Sequence, residues 1–161
     1  MGHQGSISGT VYYHGTNCDF IYFNPNRIGS NSEDDEIFKG YYFTDNIDDA
    51  KLFGEQIIKA TLSLKKTIDL RTHSLFTLES QAADIWEIAS GEVLTNAEAL
   101  NKINEEIDMG ELAEFSYLLT TEGANATIVN KGYDNIIQTF DYNKTEIIVF
   151  SSNQIQRIFD S

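Results

Sequence analysis

One cysteine and one proline stand in the whole chain, and each scarcity narrows the possibilities. Cys18 alone forms no internal disulfide and gives no cysteine metal cluster. A reducing compartment fits that usage, although export by a signal-free route would look the same. Pro25 falls in a stretch that reads as loop on other grounds. Long apolar runs are missing too. None approaches the roughly 18 to 20 residues of a membrane span, which excludes an integral helical membrane protein and any expected membrane partner. The start, MGHQGSISG, lacks a basic segment followed by an apolar one, so no classical signal peptide is expected. Residues 1–6 read as a partial expression-tag remnant, and His3 is given no role. The expected location is the cytoplasm, or a target cell reached without such a signal.

Basic residues are scarce as well: 11 Lys and Arg face 25 Asp and Glu, for a net charge of −14. A field of that sign repels polyphosphate and disfavours tight nonspecific binding to nucleic acid. It leaves room for a small local basic site, or for a basic protein partner. Between Glu79 and Glu122 the imbalance is steepest, with eleven carboxylates and one base, Lys102. That block reads either as a solvated helical face or as a docking surface for a basic partner. At 161 residues, one domain spanning 1–161 is the expectation.

What is present is a pattern of strands around a block of helices. GTVYYHG reads as a short aromatic strand ended by glycine, and residues 17–39 read as loop. GYYFT resumes strand character. Asp45 then serves as N-cap for a helix carrying Ile47, Ala50, Leu52 and Phe53, ending near Gly54. The clearest strand is IIKATLSL, with Ile58, Ala60, Leu62 and Leu64 on one face, and TIDL extends it. From Leu75 the period turns helical. Thr95 and Glu98 form a capping box ahead of an apolar stripe at Ala97, Leu100, Ile103 and Ile107. Ala82, Ile85 and Ala89 run to Gly91, and Leu112, Phe115 and Leu119 run to Gly123. ANATIVNK fits helix or strand. DNIIQTF, a polar turn DYNK and TEIIVF form a C-terminal hairpin. The fold class is therefore α+β, with a helical insertion at about residues 75–122.

Three residues are costly for a plain scaffold. Glu146 shares its strand face with Ile148 and Phe150, while Ile147 and Val149 take the other. It either points to water at the strand's start or is partly buried, and a buried carboxylate without a partner is expensive. Tyr42 shares a face with Thr44, and His14 with Tyr12; taken singly, each reads as a structural side chain rather than a ligand contact.

Taken in order, these residues resemble the histidine–tyrosine–glutamate class of ADP-ribosyltransferases, the branch related to diphtheria toxin and the poly(ADP-ribose) polymerases. The resemblance rests on YHGT at Tyr13–Thr16, KGYYFTDNIDDAKLFG at Lys39–Gly54 and TEIIVFSSNQI at Thr145–Ile155. ATLSLKKTIDL and KGYDNIIQ are also similar to family segments, with Thr67 where many small bacterial and phage members carry proline. The likeness covers most of the chain except the helical block. It implies a split β-sandwich of two small sheets, NAD as co-substrate, and no metal. His14 would hold the adenosine ribose with Thr16 near it, and the Gly15 backbone would hold the nicotinamide carboxamide, its missing Cβ permitting close approach. Tyr42 would stack on the nicotinamide ring, Phe53 would close the sandwich, and Glu146 would bind the nicotinamide ribose and stabilise the cation formed as the glycosidic bond breaks. Arg27 reads as a phosphate contact or as a solubilising surface arginine. Ala50 stands where polymerase members place a serine hydroxyl.

The residue types suit that chemistry. A fixed carboxylate stabilises an oxocarbenium-like sugar, and aromatic faces suit a flat cationic ring. Lys144, two residues before Glu146, replaces the second Glu of arginine-modifying relatives and the Gln of amide-modifying ones, which disfavours an arginine-specific modifier. The resemblance implies an enzyme, a glycosyltransferase of toxin or effector type, that places single ADP-ribose units on a macromolecular acceptor, protein or nucleic acid. An antitoxin or immunity partner would fit such an enzyme. Two alternatives stand beside it. An RNA 2'-phosphotransferase shares the fold, but its clustered arginines are here scattered as Arg27, Arg71 and Arg157. A catalytically inactive partner-binding module would use the acidic helical block as its interface.

Overall fold

The computed structural model describes residues 10–16, 38, 40–140 and 143–159, with the side chains of 109 and 113 left aside. Seven strands and six α-helices fill those residues, so the α+β expectation holds. The strands are β1 (Tyr12–Thr16), β2 (Tyr41–Thr44), β3 (Gln56–Leu62), β4 (Thr67–Asp69), β5 (Asn135–Phe140), β6 (Lys144–Val149) and β7 (Ile155–Ile158). Their hydrogen-bonded order is β4-β5-β6-β2-β1-β3-β7, with only β4 and β5 parallel among the pairs.

The sheet is nearly cut in two. β1 and β3 pair over five residues, and β2 and β6 over four, but β1 meets β2 only at Tyr13 and Thr44. On either side of that seam the halves face each other. Tyr41, Phe43, Ile147 and Val149 from one half form a buried cluster with Ala60 and Leu62 from the other, against Tyr12 and Ile155. A sheet with an apolar face on each half must bury both, and folding the halves together does so.

The opposite face of the β4-β5-β6-β2 half carries the helices. These are α2 (Thr72–Thr77), α3 (Ala82–Ser90), α4 (Asn96–Glu106), α5 (Leu112–Tyr117) and α6 (Glu122–Asn130), whereas the short α1 (Ile47–Ala50) lies against β1 and β2. Ile85, Ile103, Leu119 and Ile128 pack with Ile68, Ile136 and Ile148 of the sheet, all at 1% exposure or less. Each such side chain contributes about 1.5–3 kcal/mol of burial. No helix among the described residues is long and apolar enough to cross a membrane.

Local signals worked where chemistry is short-ranged. The Thr95–Glu98 capping box forms, and Gly91 ends α3 in the left-handed region at φ 83°. Elsewhere the details shift. Asn46, not Asp45, caps α1 by accepting from the amides of Asp48 and Asp49, because its side chain sits one residue nearer the first turn. Along α4 and its C-cap the buried stripe is Ala99, Ile103 and Ile107, while Ala97 is exposed. ANATIVN is helical, within α6, with Lys131 as its C-cap, so the helices run from 72 to 130 rather than 75 to 122. β7 went unread, since its alternation of half-buried and exposed positions is only four residues long.

The acidic block is mostly solvated. Nine of its eleven carboxylates are exposed, and the half-buried Asp84 and Glu87 share Lys131 at 3.4 and 3.1 Å.

Gln154 explains part of the C-terminal SSNQI motif in scaffold terms. Its Oε1 accepts from the amides of Phe150 and Ser151, and its Nε2 donates to the carbonyls of Ser63 and Asp134. One side chain thereby ties the end of β6 to the segments after β3 and before β5.

Candidate active site

Cross-strand rows build the site. On the helix-bearing face, Tyr42, Ile148 and Ile136 sit side by side on β2, β6 and β5. One row further along, the same face changes character to Thr44, Glu146 and Gln138, and beyond them to Lys144 and Phe140. The polar row adjoins the seam, because Thr44 is also the residue that meets Tyr13 of β1.

Glu146 is 6% exposed, so it does not point freely to water. Its Oε1 accepts a 2.8 Å hydrogen bond from Gln138 Nε2. Burial raises its pKa above the ordinary carboxylate range, and the Gln138 donor opposes that rise. Tyr42 donates its hydroxyl to the Phe38 carbonyl. Burial first, and the Glu146 charge second, push its phenol well above the usual range, so it stays neutral.

His14 spans the seam. Its Nδ1 lies 2.6 Å from the Tyr42 carbonyl oxygen, and its ring centroid is 5.5 Å from that of Phe43. A carbonyl can only accept, so Nδ1 carries the proton and Nε2 the lone pair. His14 is 7% exposed, and burial lowers its pKa, outweighing the carbonyl hydrogen bond. The sign of the linked stability follows. A depressed histidine pKa means the unfolded chain binds the proton first, so stability is lost as pH falls through the unfolded value near 6.5. Wild type is therefore expected to lead His14→Gln by more in melting temperature at pH 7.5 than at pH 5. Thermal melts of both proteins across that range check it, and a constant gap would contradict the assignment.

Gly15 has a use the sequence did not reveal. A Cβ there would lie 1.8 Å from the Ala50 carbonyl oxygen and 3.3 Å from Phe53 Cβ. Its missing side chain thus admits the end of α1, rather than serving only a ligand. Gly54 does the same from the other side, where a Cβ would meet the Thr16 backbone at 2.3–2.7 Å. Between these two contacts the segment Ala50–Gly54 is clamped on β1, with Thr16 buried at its end. Phe53, at 45% exposure, projects from that segment, and its ring centroid stands 5.5 Å from Phe140 at 50°.

Among the expected site residues, Tyr42 and Glu146 lie on neighbouring rows of one face, and His14 reaches the Tyr42 backbone carbonyl from β1. Gly15 and Thr16 follow on β1, and Phe53 flanks the far row through Phe140. Arg27 lies outside the described residues. Arg71 is bound to Asp69 at 2.6 Å, and Arg157 stands on the edge strand β7 with its guanidinium 4.8 Å from the Phe159 ring centre, so these two do not converge. No group of three His, Cys, Asp or Glu that could hold a metal ion occurs among the described residues.

Gln138 and Phe140 were missed, and the cause is one residue of register. A four-residue turn DYNK would set Thr139 opposite Glu146. In the structure Lys144 already belongs to β6, so partners lie equally far on either side of position 142, and Gln138 faces Glu146. A one-residue slip moves every side chain to the other face.

With this geometry in place, comparison with known proteins is decisive on family. A family model described as "ADP-Ribosyltransferase in polyvalent proteins" matches residues 4–161. The chain belongs to this ADP-ribosyltransferase family. No curated protein matches it. One solved structure, titled "Crystal structure of an anti-CRISPR protein", shares 15% identity at a TM-score of 0.48, covering 94% of this chain and 98% of that one. A likeness at that level carries no functional argument. For the ADP-ribosyltransferase family, NAD is the substrate, and the seam-side row holding Glu146 sets a buried carboxylate one row from Tyr42.

Proposed function

We propose that the chain is an NAD-dependent mono-ADP-ribosyltransferase of effector type, acting as a single catalytic domain on a macromolecular acceptor, protein or nucleic acid. The observation that carries this reading is Glu146, a carboxylate kept at 6% exposure in a polar row next to the seam of a family-matched chain. Burying a charge is costly unless it meets something, and an oxocarbenium-like ribose is the cation it would meet.

In this reading Glu146 faces the nicotinamide ribose. As the bond between ribose C1' and the nicotinamide nitrogen breaks, both bonding electrons leave with nicotinamide, which becomes neutral, and the carboxylate stabilises the positive charge left on the sugar. The acceptor nucleophile then bonds to C1' and gives up its proton. Tyr42, held neutral and oriented by Phe38, offers its ring face to nicotinamide, and Phe53 closes from the opposite side. His14 Nε2 would accept from an adenosine-ribose hydroxyl, because Nδ1 is committed to Tyr42. The Gly15 backbone would take the carboxamide, Thr16 would sit near the His14 ribose, and Arg27 would contact phosphate.

Incubation of the purified protein with NAD labelled in its adenylate part tests the proposal. Nicotinamide is expected to be released slowly in buffer and faster with a whole-cell extract, leaving label on material destroyed by protease or by nuclease. Absence of both nicotinamide release and transferred label would overturn it.

A further inference from the structure

We propose that Gln138 is the positioning residue of Glu146, donating to one carboxylate oxygen so that the other faces the ribose. The inference rests on the proposed role of Glu146 for its catalytic consequence, but its physical content does not.

The geometry is specific. β5 and β6 are hydrogen-bonded neighbours, and their register sets Gln138 directly across from Glu146 on the helix-bearing face. The amide Nε2 donates to Oε1 at 2.8 Å, within the ordinary range for a bond to a carboxylate. Oε2 is then the oxygen a substrate hydroxyl or the sugar cation would meet. Both residues sit in the interior of paired strands, so neither end of the contact depends on a loop. Sites carried on strands hold such geometry more tightly than sites carried on loops.

The surroundings show why a neutral donor is useful. On β2 the facing titratable group is Tyr42, an acid that stays protonated, and it brings no positive charge. On β1, His14 is turned to the Tyr42 carbonyl and is also kept neutral by burial. On β6 itself Lys144 shares the face one row away, paired across the hairpin with Phe140. Gln138 is therefore the group on the neighbouring strand that binds the charged form of Glu146 directly. A cation at this position would neutralise the carboxylate that the developing sugar cation needs. An amide instead stabilises the anion while leaving its net charge intact.

The test removes the donor and keeps the volume. In wild type and in Gln138→Met, the side-chain carboxyl of Glu146 is followed by carbon-13 NMR in protein labelled at glutamate Cδ, with the resonance assigned from Glu146→Gln. The midpoint is expected to move up by about one pH unit in Gln138→Met. Gln138→Glu, a second variant, sets a carboxyl beside a carboxyl and is expected to spread the two titrations further apart. The acid limb of nicotinamide release should move with the Glu146 midpoint, while KM for NAD stays within about two-fold and the rate recovers at high pH. A merely structural glutamine would change melting temperature without moving the pH profile.

Coincident Glu146 midpoints in wild type and both variants would overturn the inference, even if the protein turns over NAD. A shifted midpoint in a protein that releases no nicotinamide would uphold this positioning role and count against the proposed enzyme instead.

Discussion

Glu146→Gln is expected to lower nicotinamide release from NAD by about 10²–10³-fold, the usual loss when one preorganised electrostatic group is removed from a site. The amide keeps the shape and can still accept from Gln138, so the fold should survive. Stability should even improve at neutral pH. The Glu146 pKa is raised in the folded state, so the stability linked to it is fully present below the unfolded value near 4.5 and is lost as pH rises through the folded value. The variant has no such titration. It should melt above wild type at pH 7, with the advantage closing as pH falls towards 4. Steady-state nicotinamide release and paired melting curves measure the two effects. Retained turnover would remove Glu146 from the mechanism.

The second large effect is conformational. Gly15→Ala drives a methyl group to 1.8 Å from the Ala50 carbonyl oxygen and 2.8 Å from its carbon, both backbone atoms that cannot swing away. Overpacking of this kind costs about 1–3 kcal/mol or more. For a chain of this size each kcal/mol lowers the melting temperature by about 2–4 °C. Relief requires moving the Ala50–Phe53 segment off β1, which also displaces Phe53, so KM for NAD should rise in the protein that remains folded. Gly123→Ala is the control. A Cβ there meets nothing within 4 Å and α6 favours alanine, so that variant should be neutral or slightly more stable. Equal melting temperatures for Gly15→Ala and wild type would contradict the clamp.

The two variants separate the role of Gly15 from that of Glu146. Gly15 is a packing requirement that places the nearby aromatic, whereas Glu146 is a charge held at a cost to the fold. Gln154 belongs with the first kind, since all of its hydrogen-bonding atoms serve the scaffold.

Much of this was legible in the chain itself. The alternation Ile58, Ala60, Leu62 declared a strand with one buried face, and all three are at 3% exposure or less. The Thr95–Glu98 box and Gly91 bounded helices, because caps are made by residues three or four apart. The ordered blocks around His14, Tyr42 and Glu146 pointed to the family that the match over residues 4–161 bears out. What the sequence by itself could not decide was everything that depends on residues far apart in the chain. Whether Glu146 met water or a partner turned on a one-residue hairpin register, and Gly15's need for no side chain turned on where Ala50 comes to rest. Periodicity determines which face a side chain takes within its own strand. Only tertiary pairing determines what stands across from it.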